Sequence, residues 1–420
     1  MSSTHWSRRQ FLRNAGYAAG ALLGTSSYAA KNPPGPLPSP EASGIEHIIV
    51  LMMENRSFDH FFGWIPGADG KQAGLTYLDR NNIPHSTYHL TDYQGCGHLD
   101  PDHSYAGGRI EYNGGACDGW LRANNDEFAL GYYTQGDFAF YGDAAMHWTV
   151  FDRYFSATMA GTFPNKIYQY AAQTDRAENT FEPCTLPTIF DLMAAAGRSA
   201  RYYFSDVPFL ALWGSKYVPI SRTFPSFLED CASGDLPNVS FVDPRFLGEA
   251  QGTSVDDHPF ADIRNGQVFI NQVYNAVVRS PAWSSTVLFI NYDEWGGFFD
   301  HVPPTEAPDV NAAFALRGFR VPALMIAPLA RSNEPSSGIY DHTSILKMIE
   351  WRWGLPSLTV RDASANNIAE ALDFTKAKRN APSYSVPPGP FGGPCIAAAA
   401  PVTGKWEQLY GVARSAGWPI

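Results

Sequence analysis

Apolar and polar positions follow one another in blocks whose periods change along the chain. Ile45 to Met53 is apolar except for Glu46 and His47, which predicts a strand buried on both faces. Pro187 to Ala196 reads as a helix stopped by Gly197, with a strand near 200–204 after it. From Gln267 to Arg279, Val268, Phe269, Val273, Ala276 and Val277 recur at helical spacing, and Pro281 ends the run. Thr286-Val287-Leu288-Phe289-Ile290 marks a strand over 285–291, and 321–327 marks another. Asp341 to Trp353 is helical, with Ile345, Met348, Ile349 and Arg352 three or four apart. Strands alternating with helices predict an α/β fold: a central, mostly parallel sheet with helices on both faces. Between Trp64 and Trp148 the chain is rich in Gly, Asp, Asn and Tyr with little periodicity, as in a long loop-rich insertion over a site.

The ends carry other signals. Residues 1–30 hold Arg8, Arg9 and Arg13 and no acidic residue. Ser7-Arg8-Arg9-Gln10-Phe11-Leu12, a short weakly apolar stretch and small residues near Ala29-Ala30 read as a twin-arginine signal peptide. The expected partner is the twin-arginine translocase during export, and the expected location is periplasmic or secreted. Residues 31–44 contain five prolines and read as an extended linker. The catalytic domain is expected over 45–375, and 376–420 reads as an irregular Pro/Gly/Ala-rich tail.

Composition narrows the classes. The 420 residues are 45% hydrophobic and 17% charged, with 37 Gly and 32 Pro. That is ample for a core, with many loops, and excludes wholesale disorder or a coiled coil. A formal net charge of -11 argues against a nucleic-acid partner, which needs a basic footprint. Export permits disulfides. Cys96 and Cys117 form one candidate pair and Cys184 and Cys231 another, leaving Cys395; connectivity stays open.

Three polar clusters carry candidate chemistry. Glu54-Asn55-Arg56-Ser57-Phe58-Asp59-His60 directly follows the first strand, where α/β sheets gather ligands. Its Glu-Asn pair offers hard oxygen ligands, although Ser57 or Asp59 also suits the start of a helix. Asp293-Glu294 follows another strand amid Trp295, Phe298 and Phe299, with Gly296-Gly297 permitting close backbone approach. Adjacent carboxylates in apolar surroundings call for a cation. Gly161-Thr162-Phe163-Pro164-Asn165-Lys166 precedes a helical run, and Thr162 alone reads as a plain N-cap. Beside a cation its hydroxyl becomes a candidate nucleophile. His103, His258, His301 and His342 are candidate proton donors or phosphoryl ligands.

Taken in order, these elements resemble the bacterial phosphoesterase family of phospholipases C and acid phosphatases, related to plant non-specific phospholipases C. The matching stretches are Glu54 to His60, Asn113-Gly114-Gly115 with Asp118-Gly119, Thr162-x-Pro164-Asn165, His258-Pro259, Asp293 to Val302 and His342-Thr343-Ser344. Lys166 departs from the arginine often found there. The resemblance implies an alkaline-phosphatase-like fold and one divalent metal ion, for which Ca, Mg, Mn or Zn are candidates. It implies Glu54, Asn55, Thr162, Asp293 and Glu294 as metal ligands, with Thr162 the nucleophile. Asn165, His103, His258 and His301 would line the phosphoryl site, with Asn165, His258 and His301 binding substrate. The expected function is metal-dependent phosphate-ester hydrolysis through a phosphothreonine, first as a phospholipase C with transient membrane-surface contact. The alternatives are an acid phosphatase acting on small phosphate esters and a non-catalytic phosphate- or lipid-binding protein.

Overall fold

The long apolar runs become the middle of one seven-stranded sheet. In the computed structural model, residues 36–332, 334–395 and 404–420 are described. The signal-peptide expectation, and the linker up to residue 35, lie outside them. The sheet comprises β1 (His47–Met53), β2 (Thr149–Val150), β3 (Ala200–Phe204), β4 (Ser221–Thr223), β5 (Val239–Val242), β6 (Thr286–Tyr292) and β7 (Ala323–Ile326). Their order is β2-β7-β6-β1-β5-β3-β4. Neighbours are parallel except where β7 runs against both β6 and β2. β1 and β6 are buried almost end to end, as a strand covered on both faces requires.

The helices are α1 (Phe58–Phe62), α2 (Tyr105–Tyr112), α3 (Thr162–Ala171), α4 (Ile189–Ala195), α5 (Phe224–Ser233), α6 (Ile263–Val278), α7 (His342–Trp353) and α8 (Lys405–Ser415), with further short helices at Tyr141–His147 and Val360–Ala363. Successive residues of β3 show that both faces are covered. Tyr202 packs on Tyr170 of α3, whereas Tyr203 packs on Phe227 of α5. Residues 34–420 form one compact unit. Among the described residues, no helix is long and apolar enough to cross a membrane.

Three expectations change. The end of the linker is not extended: Pro40–Ser43 makes one 3-10 turn, with proline at its start, which tolerates a missing N–H. The tail is not irregular throughout. Its first part is a strap whose Pro/Gly-rich backbone is satisfied by side chains instead of a ladder. Trp283 Nε1 donates to Arg379 O (2.8 Å), Tyr274 OH to Pro382 O (2.7 Å), and Asn265 Nδ2 to Phe391 O (2.9 Å). Its last part is α8, where Trp406, Leu409 and Ala413 bury one helical face. The disulfide joins Cys96 to Cys395, and Cys117, Cys184 and Cys231 are buried free thiols. The strap crosses the molecule to reach Cys96, so neither pairing of sequence neighbours forms.

Candidate metal and phosphoryl site

Strand register brings the two acidic clusters together. β1 and β6 are parallel neighbours with Met53 opposite Tyr292, so Glu54-Asn55 and Asp293-Glu294 leave the sheet side by side. Asp293 N–H donates to Met53 O and Arg56 N–H to Glu294 O, both at 3.1 Å. Asp293 Oδ1 accepts from the N–H groups of Asn55 (3.0 Å) and Glu294 (2.8 Å). Glu294 Oε2 accepts from Gly296 N–H at 2.7 Å. Gly296 sits at φ 64°, and a Cβ there would lie 2.1 Å from Asn55 O, so the glycine serves the approach of the two tips.

What these bonds leave over is the decisive feature. Glu54 Oε1 and Oε2, Asn55 Oδ1, Asp293 Oδ2, Glu294 Oε1 and Thr162 Oγ1 are all buried with no hydrogen-bond partner. Every side chain expected to bind the ion keeps at least one oxygen free. Buried polar atoms are rarely left unpaired, because each costs about 1–3 kcal/mol. A hard divalent cation satisfies this donor set of carboxylate, amide and hydroxyl oxygens. Acidic and histidine clusters suited to one divalent ion are present. Glu54, Glu249 and Asp256 each place an oxygen within 4.8 Å of the others, and Asp100, His103 and His258 group likewise.

Thr162 is the first residue of α3, and Gly161 is the N-cap, so its hydroxyl does not cap the helix. Lys166, one turn on along the same face, points Nζ at Asp243 Oδ1 (3.3 Å) and Glu54 Oε1 (3.9 Å). A Cβ on Gly161 would stand 3.6 Å from His103 O. His103 in turn joins Asn55, Nε2 to Nδ2 at 3.2 Å, and lies 3.9 Å from Glu294 Oε1. The helix that Thr162 starts thus reaches Glu54 through Lys166, and the glycine before it lies against the backbone of His103.

Residues 45–356 match the Phosphoesterase family. The chain belongs to that family. This phosphoesterase is 31% identical to "Phospholipase C B" of Mycobacterium tuberculosis (strain CDC 1551 / Oshkosh), over 87% of this chain and 85% of that protein. It is 29% identical to "Non-specific phospholipase C6" of Arabidopsis thaliana, over 80% and 74% of the two chains. Among solved structures it is similar to an alkaline phosphatase superfamily protein from Vibrio parahaemolyticus. That match has a TM-score of 0.39 and 9% identity, and covers 87% of this chain and 79% of that one. The protein is an enzyme, a phosphoesterase-type hydrolase.

The phosphoesterase site is rich in like charge. Burial, then the charge of Glu54, raises the Asp293 carboxyl to about 7. Burial, then Asp293, holds Glu294 well above the usual range. Burial lifts Asp256 and Glu249 in the same direction. A cation relieves this by favouring the carboxylate forms. His258 is buried, with Nε2 3.4 Å from Glu249 Oε1 and 3.5 Å from Asp100 Oδ2, and Nδ1 unpaired. Burial and the charge of Lys405 press its pKa well down, so its ring is neutral near pH 7.

Two expected phosphoryl ligands sit elsewhere in role. The Asn165 amide is spent on the loop before Thr162. Its Oδ1 accepts from Thr158 N–H (3.0 Å), and its Nδ2 donates to Thr158 O (3.1 Å), Ala160 O (2.7 Å) and Gly161 O (3.1 Å). It therefore positions the threonine and has no donor left for substrate. His301 belongs to a separate ionic cluster, with Nδ1 2.5 Å from Asp59 and Nε2 3.2 Å from Asp69. Arg320 lies across Asp59 and Asp300 at 3.0 Å each, which neutralises the cluster from within. His342 Nε2–H donates to Tyr292 O (3.0 Å) beneath the end of β6.

Glu249 and Lys405 had no motif to announce them. Lys405 Nζ lies 2.8 Å from Glu249 Oε1 and 3.4 Å from Glu54 Oε2. The apolar spacing of Trp406, Leu409 and Ala413 was the available signal for its helix.

Proposed function

We propose that Thr162 is the nucleophile of a double displacement on a phosphate ester, and that the substrate is a phospholipid diester cleaved in the manner of a phospholipase C. The unpaired buried oxygens of Glu54, Asn55, Asp293 and Glu294, with the unpaired Thr162 hydroxyl on the first residue of α3, carry this reading. A divalent cation held by Glu54, Asn55, Asp293 and Glu294 would supply Lewis-acid charge to the threonine oxygen and the phosphate. The Thr162 hydroxyl passes its proton to the neutral ring of His103 or His258 as its oxygen attacks phosphorus, and the P–O bond to the departing alcohol breaks. That alkoxide takes the proton back from the histidinium so formed. Water then cleaves the phosphothreonine and restores the hydroxyl.

The phospholipase names of the relatives support a diester lipid. So do Leu99 and Ile110, 54% and 47% exposed, which flank His103 in sequence and offer apolar contacts to a lipid surface. The twin-arginine signal and the Cys96–Cys395 disulfide support export to an oxidising compartment. Hydrolysis of phosphatidylcholine vesicles and of a chromogenic phosphate monoester, each with and without chelator, tests the reading. The vesicle substrate should be preferred, and chelator should abolish both activities. Thr162→Ala should lose about 10³-fold or more in kcat while staying folded. Wild-type-like turnover by Thr162→Ala would refute the assignment.

A further inference from the structure

The tail contributes more than cover. α8 begins with Lys405 inside the carboxylate cluster, and its first turn is fastened there by several contacts. Trp406 Nε1 donates to Glu249 Oε2 at 2.5 Å, so consecutive tail residues grip both oxygens of one carboxylate. The Trp406 ring stacks on Phe246 with centroids 3.8 Å apart and leans on Phe163, the residue after Thr162, at 5.7 Å. Glu407 Oε1 accepts from Gly248 N–H at 3.2 Å. The ammonium is therefore held against the loop at 246–249 and the first turn of α3.

We propose that Lys405 is a phosphoryl-binding residue, whose ammonium holds a non-bridging oxygen of the phosphate ester beside Thr162. The proposal rests on the phosphoesterase reading above and deepens it. An ammonium has three donors. Glu249 takes one and Glu54, at 3.4 Å, lies near a second, which leaves one for an incoming oxygen. The neighbouring cations are otherwise engaged. Lys166 faces Asp243 and lies over the Phe246 ring, and Arg56 donates to Asp257 O and His258 O. A phosphate ester anion brought among so many carboxylates needs such a charge, and a charge-assisted hydrogen bond supplies it directionally.

The test uses the metal-loaded full chain, with inorganic orthophosphate as probe in titration calorimetry and elemental analysis for metal content. Lys405→Gln keeps a hydrogen bond to Glu249 and removes the charge. It should bind orthophosphate about tenfold or more weakly, with metal content unchanged. Should that variant fail to fold, the Lys405→Gln/Glu249→Gln double variant removes the stranded carboxylate as well, and the same loss is expected of it. Unchanged phosphate affinity overturns the proposal. So does loss of the metal, which would make Lys405 a support of the ion site and not of the ester. If the metal-loaded wild type neither binds orthophosphate nor hydrolyses any ester, the phosphoesterase function itself fails, an outcome distinct from a defect confined to the variants.

Discussion

At the scale of single residues, the site is built by hydrogen bonds that decide which atom remains free. His103 shows the logic. Its Nδ1 donates to Pro101 O at 2.7 Å, which fixes the tautomer and leaves a lone pair on Nε2. That lone pair accepts from Asn55 Nδ2, so the amide turns Oδ1 into the site, unpaired. Asn55 also holds φ 61°, a left-handed geometry that Asn tolerates better than most residues. His103→Ala should therefore weaken metal binding about 10- to 100-fold, since an ion's outer supports count nearly as much as its ligands. Competition with a fluorescent chelator reads this directly, and an unchanged affinity would contradict the chain of bonds. The residues proposed to hold the ion drew attention because Glu54-Asn55 and Asp293-Glu294 each sit in a short motif at the end of an apolar run. Asn165 and His301 misled because a motif gives residue type but not where the side chain turns. Glu249 and Lys405 were invisible because a lone charge in an unremarkable stretch carries no pattern.

At the scale of elements, β1 and β6 were plain from unbroken apolar runs, and α6 and α7 from their periodicity. Short strands such as β2 and β4 were not, since two or three residues hold no period. The order of the sheet, and hence the meeting of the two acidic tips, is a matter of long-range pairing that local pattern does not encode. The tail was the largest misreading, because its Pro/Gly content masks a strap pinned by side chains and a closing helix. The Cys96–Cys395 bond spans a sequence separation of 299. In the loop-entropy account such a bond contributes about 5–6 kcal/mol, at the upper end for disulfides. A Cys96→Ser/Cys395→Ser double variant should melt well below the wild type in calorimetry. It should also lose activity before it unfolds, as the strap that leads to α8 comes loose. Equal melting and equal activity would show that the strap is held without the bond.

At the scale of the whole molecule, two of the buried charge clusters meet different fates. The Glu54 cluster keeps free oxygens, whereas the Asp59 cluster is closed by Arg320 and His301. Burial alone would lower the His301 pKa, but its bonds to Asp59 and Asp69 raise it to about 9. The folded protein thus keeps a proton that the unfolded chain releases above about 6.5. The stabilisation is complete below that value and is lost as pH rises through about 9. Because the ring is partly open to solvent, the fall should amount to about 2 kcal/mol. Denaturant titrations from pH 6 to 10 should show this decline, and His301→Asn should flatten it. A decline that persists in the variant would place its origin elsewhere.

The central claim is that the hydroxyl at the start of α3 takes up the phosphoryl group beside the joined strand tips. Acid quenching during turnover, followed by peptide mass spectrometry, tests it most directly. The account predicts a phosphoryl adduct on the peptide containing Thr162, absent from metal-stripped protein and from Thr162→Ala. Steady turnover with that peptide unmodified, or with the adduct on another residue, would contradict it.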